Sequence, residues 1–163
     1  MDSDLLDPPV RGSMRVLVES EVMGERLFAI AERHARTRSD RRMWQALHTL
    51  EEQTRSAVFG RLDVDIDRFA RAVQGARIAG MASGASLWIM PRRLQMGLLV
   101  LGTKPFIPHF RRLNEHFADS AQAPFFNYVL AHEYAIAELG RRALAHDDDA
   151  VAPVEKLLGN VPS

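Results

Sequence analysis

Apolar side chains recur every three or four residues along most of this chain, and that spacing places them on one face of an α-helix. No stretch shows the strict alternation of a half-buried strand, and no segment repeats. The pattern therefore predicts an all-α protein. The predicted helices cover about 14–37, 40–60, 65–79, 91–120 with a break near 103–108, 122–145 and 149–158.

Residues at the ends of these segments set the expected boundaries. Residues 1–13 are acidic and contain two prolines, which predicts a flexible lead ahead of one helical domain over 14–163. Gly and Ser residues at 80–86 are expected to end the third segment. Pro91 suits the first turn of the next helix, and Pro105 and Pro108 then interrupt it.

Composition narrows the class of protein. The 163 residues suffice for one domain, and an apolar content of 47% suffices for a core. A formal net charge of zero argues against nucleic acid as a partner and is compatible with a homodimer. The most apolar run, 94–102, is too short to span a membrane. With no cysteine and no signal-peptide pattern, a cytoplasmic protein is expected.

Carboxylates occupy positions on the otherwise apolar faces of three predicted helices. Glu133 follows Phe126 by seven residues, in the middle of an apolar stripe, and His132 lies beside it. Similar positions on the first two helices are held by Glu21, Glu25, His48 and Glu51. The sequence therefore predicts that carboxylates from three helices face one another inside a bundle.

Buried carboxylates need protons or a positive partner, and the sequence leaves two choices open. A metal ion is one, since carboxylate oxygen and imidazole nitrogen suit iron, manganese or zinc. Ion pairs with arginine are the other. Arg55 follows Glu51 by four residues, and Arg92 or Arg93 is also expected to reach the bundle.

Three segments together resemble the ferritin-like superfamily: "SEVMGERLFAIAERHA", "WQALHTLEEQT" and "FNYVLAHEYAIAELGRRAL". The resemblance covers about residues 14–145. It implies a four-helix bundle with a long crossover between its second and third helices, here followed by a short C-terminal helix. It also implies one or two iron ions, with ligand candidates Glu21, Glu25, His48, Glu51, His132 and Glu133.

Two functions follow from that resemblance. With iron bound, the protein is expected to carry out oxidation linked to oxygen or peroxide, as an oxidoreductase whose site is shielded from water by Leu94, Leu98 and Leu101. The superfamily's Glu-x-x-His pairs are absent, because Thr54 and Ile136 occupy the His positions. The alternative is therefore a metal-free module that binds a small molecule or a protein partner without catalysis.

Overall fold

The computed structural model describes residues 7–61, 66–87 and 89–162, and within these ranges every regular element is a helix. The all-α prediction is confirmed. In chain order the helices are α1 (Pro8–Arg33), α2 (Arg38–Arg61), α3 (Ile66–Leu87), α4 (Arg92–Gly102), α5 (Ile107–His116), α6 (Ala123–Leu144) and the short α7 (Ala152–Glu155).

Contacts between the helices define their directions. The four-residue connection at 34–37 returns α2 antiparallel to α1. Helix α3 runs parallel to α1, because Gly80 contacts Met23 and Gly84, one turn later, contacts Leu27. The chain then descends through α4 and α5, and α6 runs antiparallel to them along the same side. Helices α1, α2, α4–α5 and α6 thus enclose the core, and α3 packs on the outside of α1.

The core consists of two apolar clusters at opposite ends of the bundle. One contains Trp44, Leu47 and Leu139 and is covered by residues around α7. The other contains Leu17, Phe110 and Phe126. Burial of these side chains is the main stabilising contribution to the fold. The predicted inward carboxylates lie along α1, α2 and α6 between the two clusters.

Helix α1 begins earlier than the sequence predicted. Pro8 and Pro9 occupy its first two positions, where their missing N–H groups remove no helical hydrogen bond. Val10 and Met14 then share one buried side, so residues 8–13 belong to the bundle. Residues 1–6 of the predicted lead lie outside the described ranges.

The glycines at 80 and 84 do not end α3, contrary to prediction. A Cβ atom on Gly84 would lie 2.8 Å from the backbone oxygen of Leu27, and one on Gly80 would collide with the backbone oxygen of Met23. These glycines therefore allow α3 to approach the α1 backbone closely. Their place in the sequence reflects helix packing, which outweighs their low helix propensity.

The predicted break near 103–108 is confirmed, with α4 ending at Gly102 and α5 starting at Ile107. The predicted shielding wall on α4 is wrong in part. All three leucines are exposed, Leu94 by 58% and Leu101 by 56%. Of the three, only Leu98 lines a cavity. Arg92 is paired with Asp40 at the start of α2. No helix in the described ranges is long and apolar enough to cross a membrane.

The packing of α3 on α1 generates a stability prediction. Replacing Gly80→Ala adds a methyl group that overlaps α1 backbone, so it should lower the free energy of unfolding by about 1–3 kcal/mol. Gly75→Ala is the matched control on the same helix, because nothing lies within 4 Å of the new Cβ. It should raise the free energy of unfolding by up to about 1 kcal/mol. Equal effects of both changes in urea denaturation would contradict this packing.

Candidate functional site

Four ionisable side chains from three helices meet in the middle of the bundle. Glu21 comes from α1, Glu51 from α2, and His132 and Glu133 from α6. Their exposed fractions are 1%, 5%, 0% and 5%. We call these four residues the buried acid cluster. The sequence predicted the three carboxylates as inward residues and His132, beside Glu133, as a possible ligand; the structure brings all four together.

The imidazole of His132 lies between two carboxyl groups. Its Nδ1 is 3.9 Å from Glu21 Oε1, and its Nε2 is 3.5 Å from Glu51 Oε1. Both distances allow electrostatic attraction but exceed the usual N–H···O hydrogen-bond length. Accordingly, both ring nitrogens and Glu21 Oε2 are buried without a hydrogen-bond partner among the described residues. The histidine is thus held mainly by the packing around it.

Glu21 and Glu51 share a hydrogen bond between their carboxyl groups, which raises the pKa of Glu21 and lowers that of Glu51. Removal from water raises the pKa of Glu21 well above its ordinary value, and the charge of Glu51 adds to this rise. Burial likewise raises the pKa of Glu51 to about 8, although the hydrogen bond with Glu21 opposes the change. At neutral pH this pair therefore holds protons.

Glu133 differs from this pair because no described side chain is its direct partner. Its carboxyl group makes no hydrogen bond or ion pair with any side chain in the described part of the chain. Burial raises its pKa to about 8, and the nearby His132 reduces the rise. Glu133 is thus a buried acid with unused hydrogen-bonding capacity.

Smaller residues around the cluster make room for it. A Cβ atom on Gly24 would lie 2.5 Å from Glu51 Cδ, so the missing side chain of Gly24 creates the space for that carboxyl group. Tyr128 lies one turn before His132, and its buried hydroxyl group has a raised pKa because of desolvation. Sequence reasoning missed Tyr128, although its spacing of four residues from His132 was a usable signal.

Two predicted ligand candidates lie apart from the cluster. Glu25 forms an ion pair with Arg55, which the sequence had assigned to Glu51. His48 Nδ1 lies 2.8 Å from Glu32 Oε2, in a half-buried pair. His48 precedes Glu51 by three residues, so this pair lies one helical turn, about 4.5 Å, along α2 from the cluster.

A cavity of about 470 Å³ reaches the cluster from one side. It lies between α1, α3, α4 and α6, and its mouth is lined by the exposed residues Ala82, Ser86 and Leu98. Most of its walls are apolar. The carboxyl-bearing residues Glu51 and Glu133 line it from the cluster side. The buried acids are therefore accessible to a molecule that enters between α3 and α4.

The donor atoms of the cluster are of the types that bind a transition metal, but their positions do not form a metal site. Glu21 Oε2 and the two nitrogens of His132 are free donors of the kinds that bind iron, manganese and zinc. Within residues 7–61, 66–87 and 89–162, however, no three such side chains are grouped so as to hold one ion. Metal binding would require the carboxyl groups to lose protons and to rotate.

Comparisons of this chain with known protein families, with curated proteins and with solved structures found no match.

The raised pKa values predict that stability depends on pH. Between about pH 5 and 8 the unfolded chain loses protons that folded Glu51 and Glu133 retain. The free energy of unfolding should therefore be highest below about pH 4.5 and should fall by several kcal/mol as the pH rises from 5 to 8. Urea denaturation of chelator-treated protein measures this dependence.

A pair of neighbouring variants provides the control. Glu51→Gln removes one of the titrating groups without changing its shape, so the fall in stability between pH 5 and 8 should become smaller. Glu52→Gln changes the exposed neighbour of Glu51 and should leave the fall unchanged. A wild-type stability that rises through this pH range would show that the acids are ionised in the folded protein.

Proposed function

We propose that this protein is a ferritin-like helical bundle that binds a small, largely apolar molecule in the cavity beside the buried acid cluster. One observation carries the proposal: a 470 Å³ space with mostly apolar walls ends at two buried carboxyl groups. Small-molecule sites have this combination, in which an apolar body supplies affinity and a few polar groups fix the orientation. This is the non-catalytic function that the sequence left open.

The helix directions support the ferritin-like part of the proposal. Helix α2 and the α4–α5 segment run the same way, so they need a connection that returns along the bundle. Helix α3 supplies it by running parallel to α1. In the ferritin-like arrangement the second and third bundle helices are joined by such a crossover. Here the crossover would itself be a helix, and it forms one wall of the cavity.

Burial of a ligand in this space would be favourable for a physical reason. Phe28, Leu99 and Ile136 already present apolar surface to the cavity. An apolar molecule would remove that surface, and its own, from water. Each buried CH₂ group contributes about 0.8 kcal/mol before the entropic cost of binding, so ligands of modest size reach micromolar affinity.

A fluorescent probe tests the cavity directly. N-phenyl-1-naphthylamine is weakly basic, largely apolar and brighter in apolar surroundings, so it should bind with a Kd on the order of 10 μM. Ala82→Trp places a large side chain at the cavity mouth and should weaken binding at least tenfold.

Ala85→Trp is the matched control, because Ala85 is exposed on the same helix and does not line the cavity. This variant should bind the probe as the wild type does. Absence of binding to the wild type, or equal loss in both variants, would overturn the proposed function.

A metal site is the second candidate, favoured by the unpartnered buried atoms of His132 and Glu21. Glu21, Glu51, His132 and Glu133 would hold the ion. A bound iron ion would supply the oxygen-linked oxidation chemistry that the ferritin-like resemblance implies. The protein's own side chains would provide negative charge, and the apolar clusters on both sides would exclude water.

Elemental analysis decides this second candidate. Protein purified from iron- and manganese-supplemented cells should contain at least one metal ion per chain. Glu51→Ala should lose it, whereas Glu52→Ala should retain it because Glu52 is exposed. Wild-type protein without stoichiometric metal would exclude the candidate and leave ligand binding as the proposed function.

A further inference from the structure

Among the described residues, the charged side chains that line the cavity are all acidic. Glu51 and Glu133 are the ionisable side chains among its lining residues, and no described lysine, arginine or histidine contributes to the walls. Arg55, four residues after Glu51 on α2, is already paired with Glu25 and does not line the cavity. A ligand therefore encounters carboxyl groups without a cation to offset them.

Three of the four described hydroxyl groups in the walls, all except that of Ser83, have the same bias. Ser20 donates its hydrogen to the backbone oxygen of Leu17, Thr103 donates to Val100, and Ser86 donates to Ala82. Each hydroxyl thus uses its one hydrogen within its own helix and keeps lone pairs on oxygen. Like a carboxylate, it remains available as a hydrogen-bond acceptor.

We propose that the ligand is a hydrophobic organic cation, namely an amine whose ammonium group binds at Glu133 and Glu51 and whose apolar body fills the cavity. This inference rests on the proposed ligand-binding function and specifies the ligand class. The carboxyl group of Glu133 is 95% buried and has no hydrogen-bond partner among the described residues. When the amine enters as its free base it takes the proton of Glu133, and the resulting ammonium and carboxylate form charge-assisted hydrogen bonds.

An anionic ligand would be excluded by the same geometry. A carboxylate or phosphate that enters the cavity loses its hydration and finds no positive side chain among the described lining residues. Burying an unpaired charge costs several kcal/mol. A neutral alcohol avoids this cost but gains no ion pair. The expected order of affinity is therefore amine, then alcohol, then carboxylate.

Three probes with the same eight-carbon chain test this order: n-octylamine, n-octanol and octanoate. Isothermal titration calorimetry of the wild-type protein at pH 7.5 should give an affinity for octylamine at least tenfold higher than for octanol. Octanoate should bind more weakly than either. Because this series uses only the wild-type protein, it does not depend on whether a variant folds.

Two variants on α6 test whether Glu133 is responsible for the preference for octylamine over octanol. Glu133→Gln keeps the shape of the side chain but cannot give up a proton to become a carboxylate, so it should lower octylamine affinity at least tenfold and leave octanol affinity within about twofold. Glu138→Gln is the control, because Glu138 is paired with Arg141 and Arg142 on the surface. It should leave both affinities unchanged.

The possible outcomes separate this inference from the proposed function. If octanol binds as tightly as octylamine, or if octanoate binds best, the cavity takes ligands and the cationic class is wrong. If Glu133→Gln retains full preference for octylamine, the assignment of the ammonium site is wrong. If no probe binds, the proposed function and this inference both fail.

Discussion

The structure depends on one constraint: carboxyl groups from three helices are held in the interior of the bundle, largely removed from water. Glu21, Glu51 and Glu133 are each at least 95% buried. Ionised together they would repel one another by far more than the stability of a domain this size permits. Protonation, the hydrogen bond between Glu21 and Glu51 and the nearby imidazole of His132 reduce that repulsion. The cluster separates the core into its two apolar parts.

The same constraint links the fold to the proposed function. A core that met only the demands of packing would place leucine at these positions, as α2 does at Leu47 and Leu50. Here Gly24 instead leaves room for a carboxyl group, and a large cavity reaches Glu51 and Glu133. Helix α3 completes the cavity wall by packing closely on α1 through its glycines. Helix α3, which connects α2 to α4, thus contributes to the site as well as to the topology.

The sequence predicted the parts of this arrangement that helical periodicity determines. The positions of Glu21, Glu51 and Glu133 on their stripes were sufficient to place them inside, as were Pro105 and Pro108 to break α4 from α5. Periodicity does not specify which helix faces which. It therefore could not assign Glu25 to Arg55 or His48 to Glu32. Nor could it reveal that Gly80 and Gly84 serve close packing, or that space remains between α3 and α4.

Measuring the protonation state of the buried glutamates is the most direct test of the account. Carbon-13 NMR of the glutamate carboxyl carbons, recorded as a pH titration of metal-free protein, reports when each side chain loses its proton. Assigning signals with Glu51→Gln and Glu133→Gln should identify two carboxyl groups whose pKa lies near 8. If all glutamates instead titrate near their ordinary pKa of 4.5, the carboxyl groups lie in water and the buried acid cluster does not exist.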